Sequence, residues 1–547
     1  MAEPATPARV DRLHYRFPPL EKRGVIAGWR GGQIAVVALS LLVAVLAVRS
    51  RPSIGGIALA LLGVGLGLTV AFWPIRGRTG EQWLPLVARW LWGGPGGDRR
   101  QLAPGPRLGH RVTVGAEADP ATGPKPAVDV HNGSAERRPG MRRGVFGGLT
   151  LTGVPFGADQ SGREMSGPAM AMLLDAPART ATAVLAVCGH SFALLGPGDQ
   201  DSRVAAWARV LSALAREGSE VHRVQWVESC VPDDGGAVRR YRDTRAVVRS
   251  DSPAGRSYGS LIAEGAPSTR RHRMLVALSL HTSRSSRVIR AAGGGTTGAG
   301  RVLAREVLSL HRALDGADVE VEGVLGPGAL ARLIGGAVAP SAGPFGPVPA
   351  GPGAPGSTRT RPGSTAPFPG TGPDPAPHWP WPMALEPRWD AVRTDGTWHA
   401  TYWIAEWPRV DVTPDFLGPL FFSPFRRSIV VTMEPVSPSR AARQVAQSRT
   451  ADLADGELRR RGGFLVTARH TREKQSVEDR DVELADGHAQ YRFSGYVTVT
   501  ADTYEELVDT RAAVEQAAGQ SRIELRLLYG EQDVAFACSL PLGRGLS

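Results

Sequence analysis

Cysteine is nearly absent from this 547-residue chain: Cys188, Cys230 and Cys538 lie far apart, with no Cys-x-x-Cys spacing. That excludes a disulfide framework and a cysteine zinc site, and reads most simply as buried thiols in a reducing compartment. Aromatic residues are sparse at 6%, whereas 67 glycines and 44 prolines are present, well above the usual share of about 12% for the pair. Such a chain argues against one seamless globule and for at least two compact units joined by linker sequence. Acidic residues are scarce at the amino end, where the first hundred residues hold 13 Lys or Arg against 5 Asp or Glu within a net charge of +12. Something acidic is expected near that end.

Charge then disappears altogether. Residues 31–48 (GGQIAVVALSLLVAVLAV) and 54–73 (IGGIALALLGVGLGLTVAFW) carry none, and each is long enough as a helix to cross a hydrocarbon core of about 30 Å. Five residues separate them, so the second span must return at once. Arginine and lysine flank the outer ends, which puts both termini in the cytoplasm, after a basic head over residues 1–30. Trp29, Phe72 and Trp73 fall where a span meets water. Gly63 and Gly67 form a small-xxx-small spacing for membrane packing, so leucine at both is expected to weaken assembly. Over residues 80–92, Trp83, Val87, Trp90 and Leu91 share one helical face, the pattern of an interfacial helix that presents Trp83 and Trp90 to the bilayer, with a short core helix of the soluble part as the alternative.

Residues 93–143 read as a flexible tether with a short strand at 111–114. A first α+β body spans 144–337, with strands at 182–195, 221–227, 274–281 and 319–324, and helices at 202–217, 301–314 and 327–334. A Pro/Gly-rich linker covers 338–384; 14 prolines fall between Pro340 and Pro382, and no packed core forms from such a composition. A second α+β body spans 385–547. There, strands at 427–433, 490–500 and 523–529 alternate with helices at 437–453 and 472–487. A third helix opens on an Asp502–Glu505 capping box. The expected fold class is a membrane-anchored α+β protein, a two-helix hairpin followed by α+β sandwich units in the cytoplasm.

No complete catalytic motif is present. Gly293, Gly295 and Gly298 fit G-x-G-x-x-G before a helix, but no P-loop lysine follows and no apolar strand precedes. A flexible loop is the simpler reading, and nucleotide binding the rival. Residues 189–193 match a nucleophile elbow only loosely. Cys188 and His190, with His222 or Cys230, are a weak metal group against the commoner role of core residues. Arg459, Arg460 and Arg461 form a basic run without interleaved aromatics, which leaves nucleic-acid contact open and unsupported. No cofactor and no metal are expected.

Both ends carry a family resemblance. The head, YRFPPLEKRGVIAGWRGGQIAVV (residues 15–37) with AFWPIRGRTGEQW (71–83), resembles a family of actinobacterial conserved membrane proteins of type IV-like secretion and conjugation loci, with a PrgI-like two-helix head. The tail resembles the non-catalytic amino-terminal region of VirB-type ATPases through RRSIVVTMEPVSPSRAARQV (426–445), FSGYVTVTAD (493–502) and YGEQDVAFACSLPLGRGL (529–546). In those ATPases a motor domain follows the Leu-Pro-Leu-Gly segment. The resemblance implies a non-enzymatic inner-membrane subunit, homo-oligomeric or within a hetero-oligomeric envelope complex, that docks a separate ATPase. The same plan is similar to the EccE subunit of type VII secretion, the alternative reading; a membrane-tethered nucleotide binder is the second.

Overall fold

The computed structural model describes residues 17, 31–50, 53–75, 77–92, 101–102, 144–156, 169–189, 192–232, 238, 242–243, 245, 248–265, 270–340, 381–461 and 468–546. Trp29, His190, the strand expected at 111–114 and nearly all of the proline-rich linker lie outside them.

Two helices open the chain, α1 (Gly31–Ser50) and α2 (Ile54–Phe72), each long and apolar enough to cross a membrane. Their large side chains, Leu39, Leu42, Leu61 and Leu66 among them, are exposed. A core helix of a soluble body would bury them. The two helices meet along a stripe of small residues. Gly56, Ala60 and Ala71 are buried, and a Cβ added to Gly67 would stand 2.5 Å from Ser40 Cβ. Gln33 Nε2 closes the open end with a 3.0 Å bond to the Ala71 carbonyl. Gly63 has nothing within 4 Å. The pair expected to act together is therefore split: Gly67 packs the hairpin itself, and Gly63 does not. Gly67→Leu is expected to cut the yield of a cysteine crosslink between positions 33 and 71 at least several-fold, while Gly63→Leu leaves it unchanged. Equal yields would contradict this assignment.

A two-stranded ribbon, β1 (Pro74–Ile75) and β2 (Arg78–Thr79), leads into α3 (Gly80–Trp92). After β3 (Gln101–Leu102) the first half runs β4 (Leu149–Pro155), β5 (Ala169–Asp175), β6 (Thr180–Gly189), α4 (Pro197–Leu214), β7 (Val221–Pro232), α5 (Pro253–Gly265), β8 (Arg270–His281), α6 (Ser286–Ala291), α7 (Gly295–Asp315), β9 (Val319–Val324) and α8 (Pro327–Val338). The second half runs β10 (Ala384–Pro387), β11 (Val392–Thr394), β12 (Thr397–Glu406), α9 (Gly418–Phe421), β13 (Arg427–Val436), α10 (Pro438–Arg461), α11 (Ala468–Ala485), β14 (Gln490–Ala501), α12 (Tyr504–Gln520), β15 (Glu524–Leu527) and α13 (Gln532–Cys538).

The two halves do not form separate sandwiches. One antiparallel sheet runs β3-β10-β11-β12-β14-β13-β7-β8-β6-β5-β4, with β15 on β12 and β9 on β6. Apart from β3, that order reads the same from both ends when β4 to β9 are matched with β10 to β15. Each half is thus the same unit, and the two join edge to edge through β7 and β13, where Val227 faces Val430. The join removes one exposed edge from each half, which is the usual liability of an open sheet. The two α+β bodies read from sequence share this one sheet, and the residues read as their linker connect its two halves.

Both faces of the sheet are covered. On one, α4 and α7 bring Val210, Leu303 and Leu310 against Leu185 and Leu278, and α12 brings Leu507 and Val514 against Tyr402 and Val497. On the other, α8, α13 and residues Leu540 and Leu542 pack on Val184, Val227, Leu275 and Val430. Between β13 and β14 the helices α10 and α11 form a charged hairpin, tied by Arg449 and Asp481 at 2.5 Å. The N-cap of α12 is one residue later than the sequence suggests. Thr503 accepts from Glu506 N at 3.2 Å, and the Glu506 carboxylate accepts from Asp502 N.

Candidate functional site

β7 carries polar side chains on both of its faces, and both faces are covered, so these side chains need internal partners. Gln225 is wholly buried. Its Nε2 donates to the Cys538 carbonyl at 3.0 Å, and its Oε1 accepts from Gly543 N at 2.9 Å. Thr432 donates to the Arg544 carbonyl at 2.8 Å, and Tyr496 to that of Gly545. Arg544 in turn pairs with the buried Asp175 at 2.7 Å. Residues 538–546 are thereby strapped across the sheet by side chains from four strands. The Leu-Pro-Leu-Gly segment thus has a structural task of its own. Gly543 holds φ +69, and a Cβ there would overlap Ser279 Oγ.

At the edge of this strap lies a cavity of about 370 Å³, lined by Ala178, His222, Arg223, His281, Arg284, Glu434, Arg492 and Leu546. Glu434, nearly buried, is ringed by basic side chains: Arg284 at 3.5 Å, His222 and Arg492 at 3.9 Å, and Arg223 at 4.0 Å. Arg223 also donates to the carbonyls of Gly543 and Leu546 at 3.3 and 2.7 Å. Arg284 approaches His222 Nδ1 at 3.3 Å; a guanidinium only donates, so Nδ1 is the acceptor and the imidazole is neutral. Burial, and then the charge of Arg223, press the His222 pKa down to about 4. Burial and Arg284 also lower that of His281, whose ring stands 5.1 Å from His222. A larger hollow of about 1980 Å³ borders the same strap and mixes carboxylates such as Glu406 and Glu483 with arginines such as Arg409 and Arg480.

On the opposite face, Arg427 is fully buried. It donates to the carbonyls of Ser423, at 2.9 Å, and Phe421, and stands 3.6 Å from Glu228. His272 Nδ1 meets Glu228 at 2.7 Å. Burial raises the Glu228 pKa, opposed by Arg427 and His272. A second buried polar group is His399, between Thr394 at 2.7 Å and Thr500 at 2.9 Å. Thr394 gives its one proton to the Val338 carbonyl, so His399 Nε2 must donate to it and Nδ1 must accept from Thr500. Burial holds the His399 pKa at about 3, against an unfolded value near 6.5. The unfolded chain therefore takes up a proton between pH 6.5 and 3 that the folded chain refuses. Stability present above pH 6.5 is lost as pH falls, by at most about 1.4 kcal/mol per pH unit for one histidine. His399→Gln is expected to flatten the fall of the melting temperature between pH 7 and 5; an unchanged slope would count against this assignment.

The candidates read from sequence are not brought together. Gly293, Gly295 and Gly298 make the tight turn from α6 into α7. Gly294 caps α7 at φ 72, Gly298 N bonds the Gly294 carbonyl at 2.7 Å, and a Cβ on Gly298 would overlap the Ile289 carbonyl. A helix precedes the loop where a dinucleotide fold requires a strand. No group of three or more metal-ligating side chains occurs among the described residues. Arg459 to Arg461 end α10, and their side chains are outside the description. Trp73 is exposed at the end of α2. Trp83 and Trp90 are corrected. Trp83 lies 5.9 Å from both Trp389 and Tyr529, and Trp90 lies 5.4 Å from Trp389, so these rings face the body. The charged ring around Glu434 went unread because its members come from β7, β8 and its following turn, β13 and β14. Of its members the sequence singles out His222 alone, as a metal partner.

Compared with known proteins, the chain matches no family model and no curated protein.

Proposed function

We propose that this chain is a structural membrane subunit of a bacterial type IV-like secretion or conjugative transfer system, spanning the inner membrane twice and docking a separate ATPase through its cytoplasmic body. The observation that carries the reading is the neck. Arg78 pairs with Glu531 at 3.1 Å, Arg526 donates to the Gly77 carbonyl at 2.9 Å, and α3 stacks Trp83 and Trp90 on Trp389 and Tyr529. Phe17, ahead of the hairpin in sequence, packs 5.2 Å from Trp407 and 5.7 Å from Phe416. A hairpin whose exit is clamped to the body fixes the orientation of that body toward the bilayer, as a scaffold requires and a loosely tethered enzyme does not.

The charged α10–α11 hairpin and the second half of the sheet are the surfaces offered to the motor. Crosslinking in native membranes, followed by mass spectrometry of what attaches to residues 385–547, tests the reading. Attachment to a VirB-type ATPase supports it. Attachment to a type VII complex moves the chain to the EccE-like alternative, and recovery without any ATPase contradicts the docking role.

A further inference from the structure

Among the described residues, the cavity beside Glu434 carries an excess of positive charge. Three arginines, Arg223, Arg284 and Arg492, share one carboxylate. The Nε of Arg223 is buried and without a hydrogen-bond partner. Like charges gathered at a partly buried site repel, and a buried unpaired donor costs free energy, unless an anion completes the group. Arg284 and Arg492 are each more than half exposed, so they stand at the mouth, while Arg223 and the neutral His222 form the inner wall. The volume, about 370 Å³, is that of a small-ligand site. Guanidinium forks match phosphate oxygens in pairs and keep their charge at every physiological pH, and the surplus positive charge disfavours a metal ion.

We propose that this cavity is an anion site that takes a phosphate-bearing ligand, with Arg284 and Arg492 closing on the phosphate and Arg223 lending its positive charge from the inner wall. The strap is part of it, because Arg223 is held by the carbonyls of Gly543 and Leu546. The same phosphate chemistry is offered by a soluble phosphate compound and by an acidic lipid headgroup.

The test is titration calorimetry of the full chain in nanodiscs with inorganic pyrophosphate, in neutral phosphatidylcholine and in discs that include phosphatidylglycerol. Saturable binding in the neutral discs is expected, weakened at least tenfold, which is about 1.4 kcal/mol, in the Arg284→Ser/Arg492→Ser variant. Both positions are exposed enough to change without loss of fold, and an unaltered melting profile checks this. Suppression by phosphatidylglycerol identifies a headgroup ligand; equal binding in both discs identifies a soluble one. No saturable binding in neutral discs, or equal affinity in the variant, would overturn the proposal.

Discussion

Gly543→Val is expected to be the most damaging single change in the body, with a loss of about 4 kcal/mol or more and little folded protein recovered. Two independent effects add. The backbone sits at φ +69, where a β-branched residue costs on the order of 1–3 kcal/mol. The new Cβ would also overlap Ser279 Oγ and stand 3.1 Å from Thr182 Oγ1. Those two hydroxyls are bonded to one another at 2.8 Å within a buried face, so neither has room to turn away, and overpacking there costs roughly a further 1–3 kcal/mol. Displacing the strap would strip Gln225 of its bond to Gly543 N and leave a buried amide unpaired. Thermal denaturation of the detergent-solubilised chain checks this, with Gly543→Ala as the milder member of the series. A wild-type melting temperature for Gly543→Ala would show that the strap does not need this backbone conformation.

Arg427→Met is expected to cost about 3–5 kcal/mol, the range for removing one partner of a buried ion pair. The loss is not that of a surface salt bridge. Arg427 has 0% and Glu228 3% side-chain exposure, and two backbone carbonyls lose their donor as well. Glu228 already has a raised pKa through burial, with Arg427 the main opposing influence. Without the arginine it rises further, so the folded variant holds a proton that the unfolded chain releases near its ordinary value. Stability from such a group is present at low pH and is lost as pH rises through the folded pKa. The deficit of Arg427→Met relative to wild type should therefore be larger at pH 7.5 than at pH 5.5, and Glu228→Gln in the same chain should restore part of it. A deficit independent of pH would mean that Glu228 is not the group left stranded.

Sequence reasoning worked where a physical signal is local. The uncharged runs gave both apolar helices to within two residues, because a single charge in either would have been plain. The alternation in residues 490–500 marked β14 because one period-two pattern runs through the whole strand. Four things were not legible. The matching of the two halves lies in their connections, since β4 to β9 and β10 to β15 share strand order without an evident residue repeat. The polar residues of β7 and β13, Gln225 and Thr432 on one face and Glu228 on the other, are of types that line a solvated surface but are buried, because the strap covers the first two and α9 with its flanking turns covers the third. The aromatic stripe of α3 has the same amphipathic signature whether its partner is a bilayer or Trp389 and Tyr529. The cavity around Glu434 needs residues more than two hundred positions apart, and no spacing rule reaches that far.

The account rests on the hairpin crossing the membrane and holding the body on the cytoplasmic side. Single cysteines at Ser53, in the turn between the helices, and at Glu505, exposed on α12, in a chain without its native thiols, test this in intact cells with a membrane-impermeant maleimide. Labelling of position 53 from outside, and of position 505 only after the cells are broken, is the predicted result. Labelling of both from outside, or release of the protein from membranes by alkaline carbonate, would contradict it.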